Sequence, residues 1–420
     1  MAKRKRPGLL WTSGLFNTTP KWATEPSVSA IEAACRQHLS IEDTASCNVE
    51  FRAAGAYNKA YTVTLEDGRQ FLMRVSLPVD PRSKTRGEVA TLRIIRSATT
   101  MPVPEVIAFD DSSDNEIGYE WILMELMPGK PVYYQWRKMS TAQKLALVGQ
   151  VADYQSQLFH CAPEEDGFRG IGTPGTSEES NGGLELDKAK PGPLVSQLFF
   201  IGDHYDYDVP RGPFRGSYEW IRASLDIIIK AQEAVISTAG DEEDKEDAVE
   251  DLQVTRQLED LLPVLFHRNE DPTDSREKTV LWHDDLNLHN ILVDSDGKIT
   301  AVVDWECVST SPLWVAGQPP KFLSGSAREV KPERHLYGTK TDLDEIGGDD
   351  KADKLDNEGM DDLYWIYLME YEQTQLRKIY AAHMRLLWPE LPFLTFIIHA
   401  YTTINNPAGV LVKILITLKS

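Results

Sequence analysis

The apolar positions of this chain follow two different periods. Between Cys47 and Leu126 they fall in short, strand-like blocks. CNVEF alternates, and AYTVTL and QFLMRV flank an Asp67-Gly68 pair, which predicts a hairpin. TRGEVATLRIIRS then sets Val89, Leu92 and Ile95 at helical spacing. PEVIAFD and GYEWILMEL return to strand composition. Residues 47–127 therefore read as a mostly antiparallel sheet with one helix inserted. Met127-Pro128-Gly129 breaks the pattern and marks a hinge. Beyond it the period is helical. Ser140 and Gln143 form a capping-box pattern at the start of TAQKLALVGQVADYQSQLFH. SYEWIRASLDIIIKAQEAVIS and LYWIYLMEYEQTQLRKIYAAHMRLLW predict two more long helices. Two acidic runs, one from Gly240 and one from Asp342 to Asp362, read as solvated loops or helix ends. The expected organisation is an N-terminal extension (1–44) with a short helix around Ser27 to His38, a sheet lobe (45–128), a helical lobe (129–390) and a C-terminal tail (391–420).

Composition narrows the choice. A chain of 420 residues exceeds what one small core organises, and a hydrophobic fraction of 41% belongs to a folded protein. Lys+Arg of 44 against Asp+Glu of 65 gives a net charge of −21, which argues against nucleic acid as the main partner. Cys35, Cys47, Cys161 and Cys307 form no CxxC pair, so neither a zinc site nor a disulfide framework is expected. No stretch reads as a membrane span; the apolar GVLVKILITL near the end is short and contains Lys413. MAKRKRPGLLW is basic and reads either as a flexible tail or as a targeting sequence. The cytoplasm is the expected compartment, with mitochondria as the alternative.

The densest polar chemistry lies in LWHDDLNLHNILV, Leu281 to Val293. ILV is followed by Asp294-Ser295-Asp296-Gly297-Lys298, then ITAVV, then Asp304-Trp305-Glu306. That is a second hairpin turned by Asp-Gly. Its outer ends, Asn290 and Asp304, are expected side by side. An amide oxygen beside a carboxylate suits a hard cation such as Mg²⁺.

HDDLNLHN fits H-x-D-x-x-x-x-N with an aspartate at hairpin distance. In this the chain resembles the aminoglycoside phosphotransferase/choline kinase family, and GPFRGSYEWIRASLD from Gly212 and YEQTQLRKIYAAHM from Tyr371 resemble its fungal branch. The resemblance implies a bilobal α+β, protein-kinase-like fold with a small antiparallel-sheet N-lobe and a mostly helical C-lobe. It implies ATP (GTP as the alternative) and Mg²⁺, with Asp285 as the catalytic aspartate and Asn290 and Asp304 as metal ligands. Asp284 occupies the variable middle position, His283 holds the loop, and His289 is packing or surface. In the N-lobe the resemblance points to a nucleotide loop at Gly55 and Asn58, although those residues alone fit an ordinary strand–turn–strand equally well. Arg74 stands where the family usually has lysine, and Glu88 matches its ion-pair carboxylate. Lys59 is a candidate substitute for the missing lysine. The adenine is expected at the hinge backbone around Glu125 to Met127, where Met124 and Met127 also fit a core role.

The resulting expectation is a kinase acting on a small-molecule hydroxyl, with no nucleic-acid partner, no membrane span and no oligomeric state readable. Asp203, Asp206 and Asp208 fit either a site for a cationic acceptor or a wet loop. Arg74 motivates the alternative of a pseudokinase or scaffold with a mitochondrial role. The absence of D-F-G, and of any A-P-E downstream of the H-x-D motif, argues against a protein kinase.

Overall fold

A computed structural model describes residues 6–13, 18–162, 167–175, 189–266, 268, 276–337 and 360–389. The lead-in is more regular than its composition predicts. Strands β1 (Leu9–Ser13) and β2 (Thr18–Trp22) pair antiparallel, with Leu9 opposite Trp22. Tertiary contacts hold this hairpin: Tyr119 Oη donates to Thr24 O at 2.7 Å, and the Trp22 ring meets Tyr119 edge-on. Helix α1 (Val28–His38) follows, capped by Ser27, whose hydroxyl accepts from Ala30 N.

The main sheet comprises β3 (Cys47–Ala54), β4 (Asn58–Leu65) and β5 (Gln70–Ser76), then, after helix α2 (Ser83–Ala98), β6 (Val106–Asp110) and β7 (Glu120–Glu125). Its order is β3-β4-β5-β7-β6, antiparallel throughout. Strand alternation divides its side chains between two faces. Met73 and Val75 join α1 and the N-terminal hairpin in one core. Ile122 and Met124 pack with Val89 of α2 on the other face. Arg74, paired opposite Ile122, shares that α2 face.

Pro128 and Gly129 carry the chain to the helical part. Gly129 has φ +107, and a Cβ there would meet Thr300 Oγ1 at 2.2 Å, so the position tolerates only glycine. The path then runs through β8 (Lys130–Pro131), α3 (Val132–Gln135), α4 (Thr141–Phe159), the short strands β9 (Phe168–Arg169), β10 (Pro174–Gly175) and β11 (Lys190–Pro191), and α5 (Gln197–Phe200). The Ser140–Gln143 capping box opens α4 as expected. Next come α6 (Ser217–Thr238), α7 (Glu242–Leu265), β12 (Lys278–Trp282), β13 (Ile291–Val293), β14 (Ile299–Val302), β15 (Ser309–Pro312), α8 (Leu313–Ala316) and α9 (Met360–Leu387). Together they make a bilobal α+β fold. The acidic run from Gly240 opens a full helix. Asp241 caps α7 by accepting from Glu243 N, and Glu242, Glu243 and Asp244 in its first turn complement the helix dipole. The second acidic run lies almost entirely outside the described residues, as does the tail from residue 390.

The two parts are interlocked. Val195 and Phe200, from the α5 region, are buried in the sheet's own core. Gly87 of α2 approaches Thr173 so closely that a Cβ would meet its Cγ2 at 2.3 Å. Glu120 fixes the start of α2, accepting from Arg82 N at 2.8 Å and Thr85 Oγ1 at 2.6 Å.

Burial pushes the Glu120 carboxyl up to about 7 from its ordinary 4.5, despite those two donors. The folded chain therefore keeps a proton that the unfolded chain releases. Stability is full below pH 4.5 and declines as pH rises through about 7. Wild type should lose about 3 kcal/mol from this group across that window. Glu120→Gln should remove the slope. Urea unfolding of both proteins at pH 5 and pH 8 measures the difference.

Candidate active site

Two ladders bring the polar loop to the sheet. β12 pairs with β15, and β13 pairs with β14, so the chain between Trp282 and Ile291 is anchored at both ends. His283 holds its middle. The ring is buried against Trp305, contacts Val303 O through Nε2 at 3.2 Å, and accepts from Asp285 N at Nδ1 at 3.3 Å. Burial lowers its pKa, which matches a neutral imidazole that donates at Nε2 and accepts at Nδ1. The Asp284 charge acts on both His283 and Cys307. His289 stacks on Tyr133 at 3.9 Å.

Asp285 and Asn290 form one unit. Asn290 Nδ2 donates to Asp285 O at 2.9 Å and to Oδ2 at 3.3 Å, and Asn287 Nδ2 donates to Oδ2 at 3.1 Å. These bonds orient the Asn290 amide, so its oxygen points away from Asp285. Val303 N donates to Asn290 O at 2.9 Å, setting the hairpin's two ends side by side. Asp304 follows at φ 65, a left-handed turn that aspartate tolerates better than most residues. Burial, with the like charge of Glu306, pushes the Asp304 carboxyl up to about 6. An amide oxygen and a carboxylate with this excess negative potential fit a hard divalent cation.

Two cations from the N-lobe meet this turn. Arg74 of β5 pairs with Glu88 of α2, and its Nη1 lies 3.5 Å from Asp304 Oδ1. Lys84, four residues before Glu88 on the same helix face, reaches Glu306 Oε2 at 2.6 Å and Asn58 Oδ1 at 2.9 Å. Asn58 Nδ2 donates to Glu306 Oε2 at 2.7 Å, and Ser76 Oγ donates to Asn58 Oδ1 at 2.7 Å. Burial works to raise the Glu306 carboxyl, but Lys84 and Arg74 outweigh it and hold it down at about 2.

The structure thus brings Asp285, Asn290, Asp304, Arg74, Glu88 and Asn58 into one connected site. Other expected residues serve the fold. Gly55 is exposed, and its N–H closes the β3–β4 turn on Asn58 O. Tyr57 ties the same turn to Phe200. Asn58 itself is a side-chain hub, with both ends of its amide engaged inside the protein. Glu125 N–H donates to Glu105 O at 2.9 Å, so that donor is not offered to a base. Met124 is buried core. Lys59 does not replace Arg74. It pairs opposite Val75 on the other sheet face, bonds Glu25, and lies over the Trp22 ring. Four participants were not anticipated: Lys84, Glu306, Ser76 and Lys321, whose Nζ lies 2.9 Å from Asp285 Oδ1. The i, i+4 spacing of Lys84 and Glu88 was the available signal for the first; Lys321 has no local one.

A profile of the phosphotransferase enzyme family matches residues 48–315. The chain belongs to this family. Fungal proteins are among those it is similar to. A subtelomeric hrmA-associated cluster protein of Aspergillus fumigatus is 23% identical over 335 residues, covering 71% of this chain and 65% of that protein. Clavilactone A biosynthesis cluster protein Y of Ampulloclitocybe clavipes is 28% identical over 278 residues, 64% of this chain and 62% of the relative. Altered inheritance of mitochondria protein 9, mitochondrial, of Saccharomyces cerevisiae is 22% identical over 341 residues, 72% and 53%. The chain thus spans between 53% and 65% of these relatives' own length. Among solved structures, the gentamicin complex of APH(2")-IIa is 14% identical with a TM-score of 0.40, covering 92% of this chain and 94% of that one. Among the described residues, no helix is long and apolar enough to cross a membrane.

Within this family member the Lys84 contacts can be tested directly. Lys84→Met leaves the Glu306 carboxylate, only 19% exposed, without its cation. Urea unfolding should show a loss of about 3–5 kcal/mol. Adding Glu306→Gln should recover much of it, because the unpaired charge is then gone.

Proposed function

We propose that the protein is an ATP-dependent kinase that phosphorylates a hydroxyl of a small molecule. The observation that carries this reading is the Asp285–Asn290–Asp304 constellation, with Arg74 and Glu88 facing it from the sheet lobe. Family membership supports the phosphotransferase class.

In this mechanism Asp285 orients an acceptor hydroxyl toward the γ-phosphorus of ATP. A P–O bond forms to the acceptor, and the bond to the β,γ-bridging oxygen breaks. ADP leaves with that electron pair. The hydroxyl proton passes to the Asp285 carboxylate and on to solvent. Asn290 and Asp304 would hold Mg²⁺, which when bound neutralises charge on the phosphate oxygens. Arg74, kept in place by Glu88, meets phosphate oxygens with a planar fork instead of the lysine's point charge. The hinge backbone at Met127 meets the base, of ATP or alternatively GTP.

A second reading has its own observation. Arg74 contacts Asp304 as well as Glu88. A guanidinium that stays on the metal-binding carboxylate describes a nucleotide-free scaffold. Two measurements separate the readings. ATP with Mg²⁺, but not ATP alone, should raise the melting temperature by a few degrees when present well above Kd, and Asp304→Asn should lose that rise. If neither ATP nor GTP shifts the transition with or without metal, the scaffold reading stands. Asp285→Ala should lower phosphoryl transfer by about a thousandfold or more while keeping the Mg²⁺–ATP shift. Unchanged turnover in that variant removes Asp285 from the mechanism.

A further inference from the structure

Asp285 has a partner that the proposed phosphoryl transfer does not use. Lys321 Nζ lies 2.9 Å from its Oδ1, while Oδ2 faces Asn287 and Asn290. Lys321 opens a short 3₁₀ turn, Lys321–Leu323, far along the chain from the catalytic loop. That turn is docked. Phe322 N donates to Leu286 O at 3.0 Å, and the side chains of Phe322 and Leu323 are buried. From α9, Gln373 Nε2 donates to Phe322 O at 2.8 Å and Arg377 Nη1 to Leu323 O at 2.9 Å. The turn that carries Lys321 is therefore held beside the catalytic loop, by a backbone hydrogen bond on one side and by two α9 side chains on the other. The Lys321 and Asp285 side chains remain 45% and 46% exposed, while the Asp285 Oδ1 that meets the ammonium is itself covered.

Two of the acidic residues that a cationic acceptor could have used are engaged elsewhere. Asp203 and Asp206 act on the Arg6 guanidinium, which is fixed by Val79 O, Phe200 O and Gly202 O. Arg211 binds His204 O and Tyr205 O in the same segment.

We infer that Lys321 selects the acceptor, and that the acceptor hydroxyl belongs to a small molecule carrying an anionic group, carboxylate or phosphate, near that hydroxyl. The inference rests on the kinase reading. A hydroxyl aligned on Asp285 brings its neighbouring substituents within about 5–8 Å of the ammonium. At that range, in a half-exposed site, one unit of charge changes affinity by about tenfold. An anion is drawn in, a neutral alcohol is indifferent, and an ammonium is repelled. The chain's overall negative charge acts from farther away and is screened by salt.

The test uses the full chain with Mg²⁺–ATP and sets of matched acceptors that carry an anionic, neutral or cationic group at the same end; glycerate, glycerol and 3-amino-1,2-propanediol form the smallest set, and hydroxyalkyl phosphates separate phosphate from carboxylate. ADP release is read. Wild type should show its highest kcat/KM on anionic members. Lys321→Met should lower the acid-to-alcohol ratio of kcat/KM about tenfold, through KM; Lys321→Arg should restore it, and Lys321→Glu should reverse the order of acid and amine. The Mg²⁺–ATP thermal shift checks that each variant is folded. Equal loss on all three acceptors in Lys321→Met overturns the inference, as does a wild type that prefers amines. A wild type that binds Mg²⁺–ATP but phosphorylates no anionic member overturns it too. Failure to bind Mg²⁺–ATP at all defeats the kinase reading, and the inference falls with it.

Discussion

The site depends on how the carboxylates of one sharp turn are neutralised. Asp304 and Glu306 both face the sheet lobe, and like charges this close cannot both stay ionised without cations. Arg74 and Lys84 supply them, one from β5 and one from α2. The division is unequal. Glu306 receives Lys84 and Asn58 and is held ionised, whereas Asp304 receives only a longer contact from Arg74 and is pushed the other way. The result is a strongly paired carboxylate that joins the lobes and a poorly paired one that leaves negative potential for a cation.

This division also gives α2 its meaning. Lys84 and Glu88 lie on one face, a turn apart, so the helix presents a cation to Glu306 and a carboxylate to Arg74 at the same time. Glu120 holds its first turn, and Thr173 lies in van der Waals range of Gly87. Val89 packs on the sheet while Leu92, Ile94 and Ile95 join the core of the helical lobe, so the helix is packed from both lobes. Moving α2 would break the ion pairs and the core together, which explains why an otherwise small sheet lobe keeps its charged residues in register with the turn at Asp304 and Glu306.

Much of this was legible beforehand. The two Asp-Gly hairpins, the α4 capping box and the H-x-D-x-x-x-x-N spacing depend on neighbours in sequence, and local rules read them correctly. The segments read less well were those whose neighbours lie elsewhere. The lead-in forms a hairpin because Tyr119 and Arg6 anchor it. Lys59 looked equivalent to Arg74 by type, but strand pairing sends it to the opposite face.

The sequence by itself determined the sheet-rich and helix-rich parts of the chain and the order of the residues around Asp285, because periodicity, turn chemistry and motif spacing act over short distances along the chain. The tertiary structure decided which charges meet. Lys84 finds Glu306 and Lys321 finds Asp285 across long stretches of chain. No periodicity encodes those meetings, since each depends on how whole elements dock, and a Coulombic contact is set by distance in space.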